Sequence, residues 1–69
     1  MINIKRLRHA MIEKQMDQEA LAKASFVSRS EISHILCGRR VPSVAILKCL
    51  CRALDVSADY LLDLDEEGT

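Results

Sequence analysis

At 69 residues the chain has room for one small domain and not two, and a core of that size is stable only when its helices are well capped and closely packed. One Phe, one Tyr and no Trp, set against abundant Leu, Ile, Ala and Met, favour helix over strand and point to an all-helical bundle. The formal net charge of zero hides a split: residues 1–54 hold all ten Lys and Arg against Glu13, Asp17, Glu19 and Glu31, a balance of +6, while residues 55–69 hold six acids and no base, a balance of −6.

Helix starts are marked in chain order by Asn3, Asp17, Ser28, Ser43 and Ser57, each a residue type whose side chain accepts from orphan amides of a first turn. The expected helices run near 4–15, 18–24, 29–37, 44–54 and 58–63. Ser28 is the strongest start, because Glu31 three residues on completes an S-x-x-E capping box. Gly38 supplies a stop for the third helix, and Pro42 discourages a continuous helix into the fourth. The expected core takes Leu7 and Met11 from the first helix, Leu21 and Ala22 from the second, Val27 from the turn, and Ile32 and Ile35 from the third. Val44, Leu47, Cys51 and Leu54 continue it on the fourth helix, and Leu61 and Leu62 on the fifth. Residues 1–63 are read as the domain and 64–69, acidic and ending in Gly-Thr, as a flexible solvated tail.

On the third helix, stepping about 100° per residue places Arg29, Ser33, Cys37, Ser30 and His34 on one arc of about 140°, with Ile32 and Ile35 opposite. A short helix clamped by two isoleucines and presenting hydrogen-bonding groups outward fits a DNA major groove. Composition alone favours an ordinary amphipathic surface helix, so the surrounding residues decide.

Those residues resemble the phage repressor and Cro-type (xenobiotic-response-element-like) helix-turn-helix proteins from about Ile4 to Leu62, with the motif at about 17–37. Asp17-Gln18-Glu19-Ala20-Leu21-Ala22 is similar to the family's first motif helix, with the small Ala22 at the helix crossing. Val27-Ser28-Arg29-Ser30 resembles the turn and the start of the recognition helix, and Ile32 and Ile35 its buried anchors. Gly38-Arg39-Arg40-Val41-Pro42-Ser43 resembles the following loop, and Leu54-Asp55-Val56-Ser57 the junction into the last helix. The resemblance implies a compact five-helix, lambda-repressor-like DNA-binding domain. It implies base contacts from Arg29, Ser30 and His34, and backbone contacts from Gln18, Ser28, Ser33, Arg39 and Arg40. The function it implies is sequence-specific transcriptional regulation, with a repressor on a palindromic operator as the expected form. It also implies a homodimer, for which Tyr60, Leu61 and Leu64 are the candidate interface residues; Tyr60 and Leu64 belong to an apolar surplus with Ile12, Leu36 and Ile46.

Gln15, Phe26 and Asp55 stand where the family usually has glycine, and a bulky Phe at positive φ is strained, so a rearranged turn at Ser25-Phe26-Val27 is expected. Leu36 and Cys37 replace a frequent polar pair. Lys5, Arg6 and Arg8 are either a solvated face or a flanking phosphate contact, and His9 is expected to be solvated. Cys37, Cys49 and Cys51 are odd in number, lack metal-ligand spacing and accompany neither a leader nor a long apolar run, so reduced thiols in a cytoplasmic, nucleoid-associated protein are expected, with no membrane partner. His34 and Cys37 lack a partner pair for zinc, and no metal, cofactor or small-molecule ligand is expected. An enzyme is not expected: no carboxylate pair on the basic body, Gly-rich phosphate loop or oriented Cys-His arrangement is present. The alternative kept open is a protein-binding module of the same fold, an antitoxin or anti-repressor.

Overall fold

A computed structural model describes residues 2–63. Five helices follow one another: α1 (Ile4–Glu13), α2 (Gln18–Ser25), α3 (Arg29–Leu36), α4 (Val44–Leu54) and α5 (Ala58–Leu62). Among the described residues there are no strands. The expected acidic tail at 64–69 lies outside the described residues.

Each helix begins where its capping side chain predicts. Asn3, Asp17, Ser28, Ser43 and Ser57 are all extended, and each accepts a hydrogen bond from the amide three residues on. Such caps each contribute about 1 kcal/mol, a large share for a domain whose total stability is on the order of 5–15 kcal/mol. The helices end on left-handed residues: Gln15, Phe26, Asp55 and Asp63 among non-glycines, and Gly38 after α3. Three of these are the positions where the resemblance leads one to expect glycine. The backbone shape survives its loss because the closing bonds are made: Met16 N–H donates to Met11 O at 2.8 Å and Val56 N–H to Cys51 O at 3.0 Å.

The turn at Phe26 is not rearranged. Phe26 holds φ 61° and ψ 28°, a conformation that costs a residue with a Cβ about 1–2 kcal/mol. Its side chain is 94% exposed, so the strain is confined to the backbone and no core group has to move. On either side Ser25 and Val27 are buried, and Ser25 Oγ donates to Leu21 O at 2.6 Å.

α2 packs against both α3 and α4, α1 against α3 and α5, and α4 against α5. At their meeting point Leu7, Leu21, Ile32, Ile35, Leu50, Leu54 and Leu61 are fully buried, each contributing about 1.5–3 kcal/mol of transfer free energy. The expected stripe on α4 needs one correction: Val44 is 74% exposed and Leu50 takes the central place. Leu47, Leu50 and Leu54 cluster within about 60° on the helix wheel, and Val44 stands roughly 90° from their mean direction. Leu36, counted among the apolar surplus, belongs to the core, as does Ile2 at the start of the chain. Ile2 is drawn in because the next residue is stitched to α5, with Asn3 N–H donating to Leu61 O at 2.7 Å.

Candidate nucleic-acid interface

α3 is fixed to the body through one side. Ile32 and Ile35 are buried on it, while Arg29, Ser30, His34 and the C-cap Cys37 are exposed on the other side and Ser33 is half-buried between them. The arc drawn from the wheel is thus the outer face of the helix. Ser28 Oγ accepts from Glu31 N–H at 3.1 Å, which leaves its own O–H available as a donor at the tip of α3. The helix points into solvent with an arginine at its first position. Among the described residues no ion pair or hydrogen bond engages the Arg29 side chain.

The far end of α3 is closed by Gly38 at φ 80°. Gly38 N–H donates to Ile35 O at 3.0 Å and Arg39 N–H to His34 O at 2.9 Å, the paired bonds that terminate a helix on a left-handed residue. A Cβ on Gly38 would meet nothing within 4 Å, so glycine is needed there for its dihedral angle and not for space. The closure delivers Arg39 and Arg40 beside the end of α3, where His34, Arg39, Arg40 and Val41 line one open hollow. Arg8 of α1 reaches the same end and donates through Nη2 to Leu36 O at 3.4 Å.

Two edges bound the exposed arc. Leu36 lies beyond Arg29 on the wheel, and Glu31 lies beyond His34. Gln18, the first residue of α2, shares a hollow with Leu36, Arg8, Met11 and Met16. Arg40 is held at the other edge by Glu31, Nε to Oε1 at 3.3 Å. Gln18 and Arg40 therefore stand on opposite flanks of the helix.

Three sequence expectations change here. Glu31 makes only half of a capping box: its amide is capped by Ser28, but its carboxylate turns to Arg40. Arg6 is not a solvated or phosphate-seeking cation; Nη1 donates to Tyr60 O at 2.9 Å, Nη2 pairs with Asp63 at 2.9 Å, and the guanidinium lies 4.8 Å from the Tyr60 ring centroid. Leu61, a candidate interface residue, has 0% exposure and offers no surface to a second copy. Leu64 lies outside the described residues, and Tyr60 is half-buried beneath Arg6. The signals for these contacts are absent from local spacing, since Arg6 and Tyr60 are 54 residues apart. His9 is exposed and stands 3.3 Å from Glu13 one turn on.

Two of the three thiols, Cys49 and Cys51, are partly buried on α4, and Cys37 is exposed. Burial pushes the Cys51 thiol above its ordinary pKa, which disfavours the reactive thiolate.

With this geometry in view, a family model described as a helix-turn-helix domain matches residues 5–64. The chain belongs to the helix-turn-helix DNA-binding family. Among solved structures, the restriction-modification controller protein C.AhdI from Aeromonas hydrophila superposes with a TM-score of 0.78 at 33% identity, covering 84% of this chain and 88% of that one. No curated protein matches. The chain is accordingly a DNA-binding transcription regulator of the Cro/C1 type, with α2 and α3 as the motif helices. Among the described residues no helix is long and apolar enough to cross a membrane.

Proposed function

We propose that this regulator is a repressor that reads a palindromic operator as a homodimer, with α3 of each protomer in a major groove. Arg29, Ser30 and His34 read base edges, and Gln18, Ser28, Ser33, Arg39 and Arg40 hold the phosphates. The observation that carries this reading is the exposed arc of α3, led by an Arg29 with no partner among the described residues and flanked on its two sides by Gln18 and Arg40. An unengaged arginine fork suits the O6 and N7 acceptors of guanine, a contact worth about 1–3 kcal/mol of discrimination. Likeness to a restriction-modification controller protein supports a role in gene control. Repression needs nothing more than occupancy of a site that overlaps a promoter.

A homodimer would place two recognition helices on half-sites about one helical turn apart. With Leu61 buried, its contact would draw on the exposed part of Tyr60 and on the outward faces of α4 and α5. There Lys48 and Arg52 on one helix and Asp59 on the other offer opposite charges to a symmetric partner.

The test is the salt dependence of binding to duplex DNA. Arg39 and Arg40 from two protomers make four cationic phosphate contacts, so the logarithm of the association constant is expected to fall against log salt with a slope of about −3.6. A flat response would remove DNA from the account and favour a protein-binding module such as an antitoxin or anti-repressor.

A further inference from the structure

Arg40 is secured at two points, one on its backbone and one on its side chain. Its backbone N–H donates to His34 O at 3.3 Å, so the loop is fastened to the end of α3. Its side chain is held through Nε by Glu31, at 3.3 Å. Glu31 is itself immobilised. It sits in the first turn of α3, where the positive end of the helix favours a carboxylate, and its side chain is only 17% exposed. It also lines the hollow formed with Val27, Ala45, Ile46 and Cys49. A carboxylate on the edge of a phosphate-facing surface repels DNA when taken alone, so its presence calls for a compensating role.

We infer that Glu31 is a positioning residue for phosphate contact: it grips Arg40 at Nε and leaves the four terminal N–H donors of the guanidinium to a phosphate on that flank. The inference rests on the DNA-reading role proposed above and adds a residue to it. A long arginine side chain loses rotamer freedom when it clamps a phosphate, and a side chain already held loses less. Glu31 thus improves binding although its charge has the wrong sign.

The experiment is a double-mutant cycle on a fixed duplex, comparing the parent, Glu31→Gln, Arg40→Ala and the double variant, each with a thermal melt. Gln keeps the shape and the capped amide of Glu31 but loses the ionic grip. Glu31→Gln is expected to weaken binding about two- to five-fold in the parent, the range of an exposed ion pair. In the Arg40→Ala background the same change is expected to leave binding unchanged or to tighten it, because only the repulsion remains to be removed. Arg40→Ala is also expected to flatten the salt slope, and the melts to move by no more than a few degrees. Tighter or unchanged binding of Glu31→Gln in the parent, or equal weakening in both backgrounds, would overturn the assignment. If the parent binds with a steep salt dependence and the cycle is additive, Glu31 alone loses its role; if the parent shows no salt dependence, the DNA-reading role falls with it.

Discussion

The two faces of α3 are held to different standards by the same eight residues. On the inner face Ile32 and Ile35 are sealed among Leu7, Leu21 and Leu50, where a missing methyl leaves a void that the core cannot refill. On the outer face Arg29, Ser30 and His34 meet solvent, and among the described residues no bond to another side chain ties them down. The inner face determines whether the helix is present, and the outer face determines what the helix can touch. A change on one face should therefore leave the property of the other intact, and variants can be ranked by how sharply they separate the two.

The largest effect is expected from Ile35→Ala, which removes a side chain with 0% exposure. A loss of about 2–5 kcal/mol is expected, a large part of the whole stability of a small domain; a urea melt reads it, and DNA binding should fall in step with the folded fraction. Ser28→Ala comes next, because it deletes the cap that accepts from Glu31 N–H. Unfolding should become easier by about 1 kcal/mol, and binding to any DNA sequence should weaken by more than the melt explains, since the freed hydroxyl at the helix tip is lost as well. The smallest effect has the opposite sign. Phe26→Gly relieves about 1–2 kcal/mol of left-handed strain and returns about 0.5–1 kcal/mol as backbone entropy, so a net gain of about 0.7 kcal/mol, and at most about 1.5 kcal/mol, is expected, read as a rise in Tm of several degrees.

Much of this division is visible in the residues themselves, because it depends on local rules. The five capping residues mark the helix starts, and the angular spacing of Ile32 and Ile35 against Arg29 and His34 separates the two faces of α3. The turn positions at Gln15 and Asp55 follow from the motif, whereas at Phe26 the bulky side chain argues for a rearranged turn that the backbone does not adopt. Contacts set by tertiary approach were not legible. Nothing near Arg6 in the chain reveals that α5 will bring Tyr60 and Asp63 to its guanidinium. The wheel shows which residues share a face of α4, yet it could not say that Leu50, and not Val44, marks the middle of the buried stripe. For Leu61 the sequence supports both a core place and a dimer interface, and only the packing of α5 decides for the core. Local spacing points Glu31 to the capping box, because Arg40, nine positions on, comes beside it only once Gly38 has turned the chain back.

The central claim is that the outer face of α3 reads bases through Arg29. Its most direct test is selection of bound duplexes from a random pool by the parent and by Arg29→Ala, followed by affinities for the selected and for random DNA. Arg29→Ala should melt within about 0.5 kcal/mol of the parent, since it alters only an exposed side chain. The parent is expected to enrich a palindrome, and Arg29→Ala the same palindrome with one base pair per half-site relaxed, at a cost of about 1–3 kcal/mol on the selected site and little on random DNA. Equal losses on selected and random DNA would contradict the claim and make Arg29 a phosphate contact.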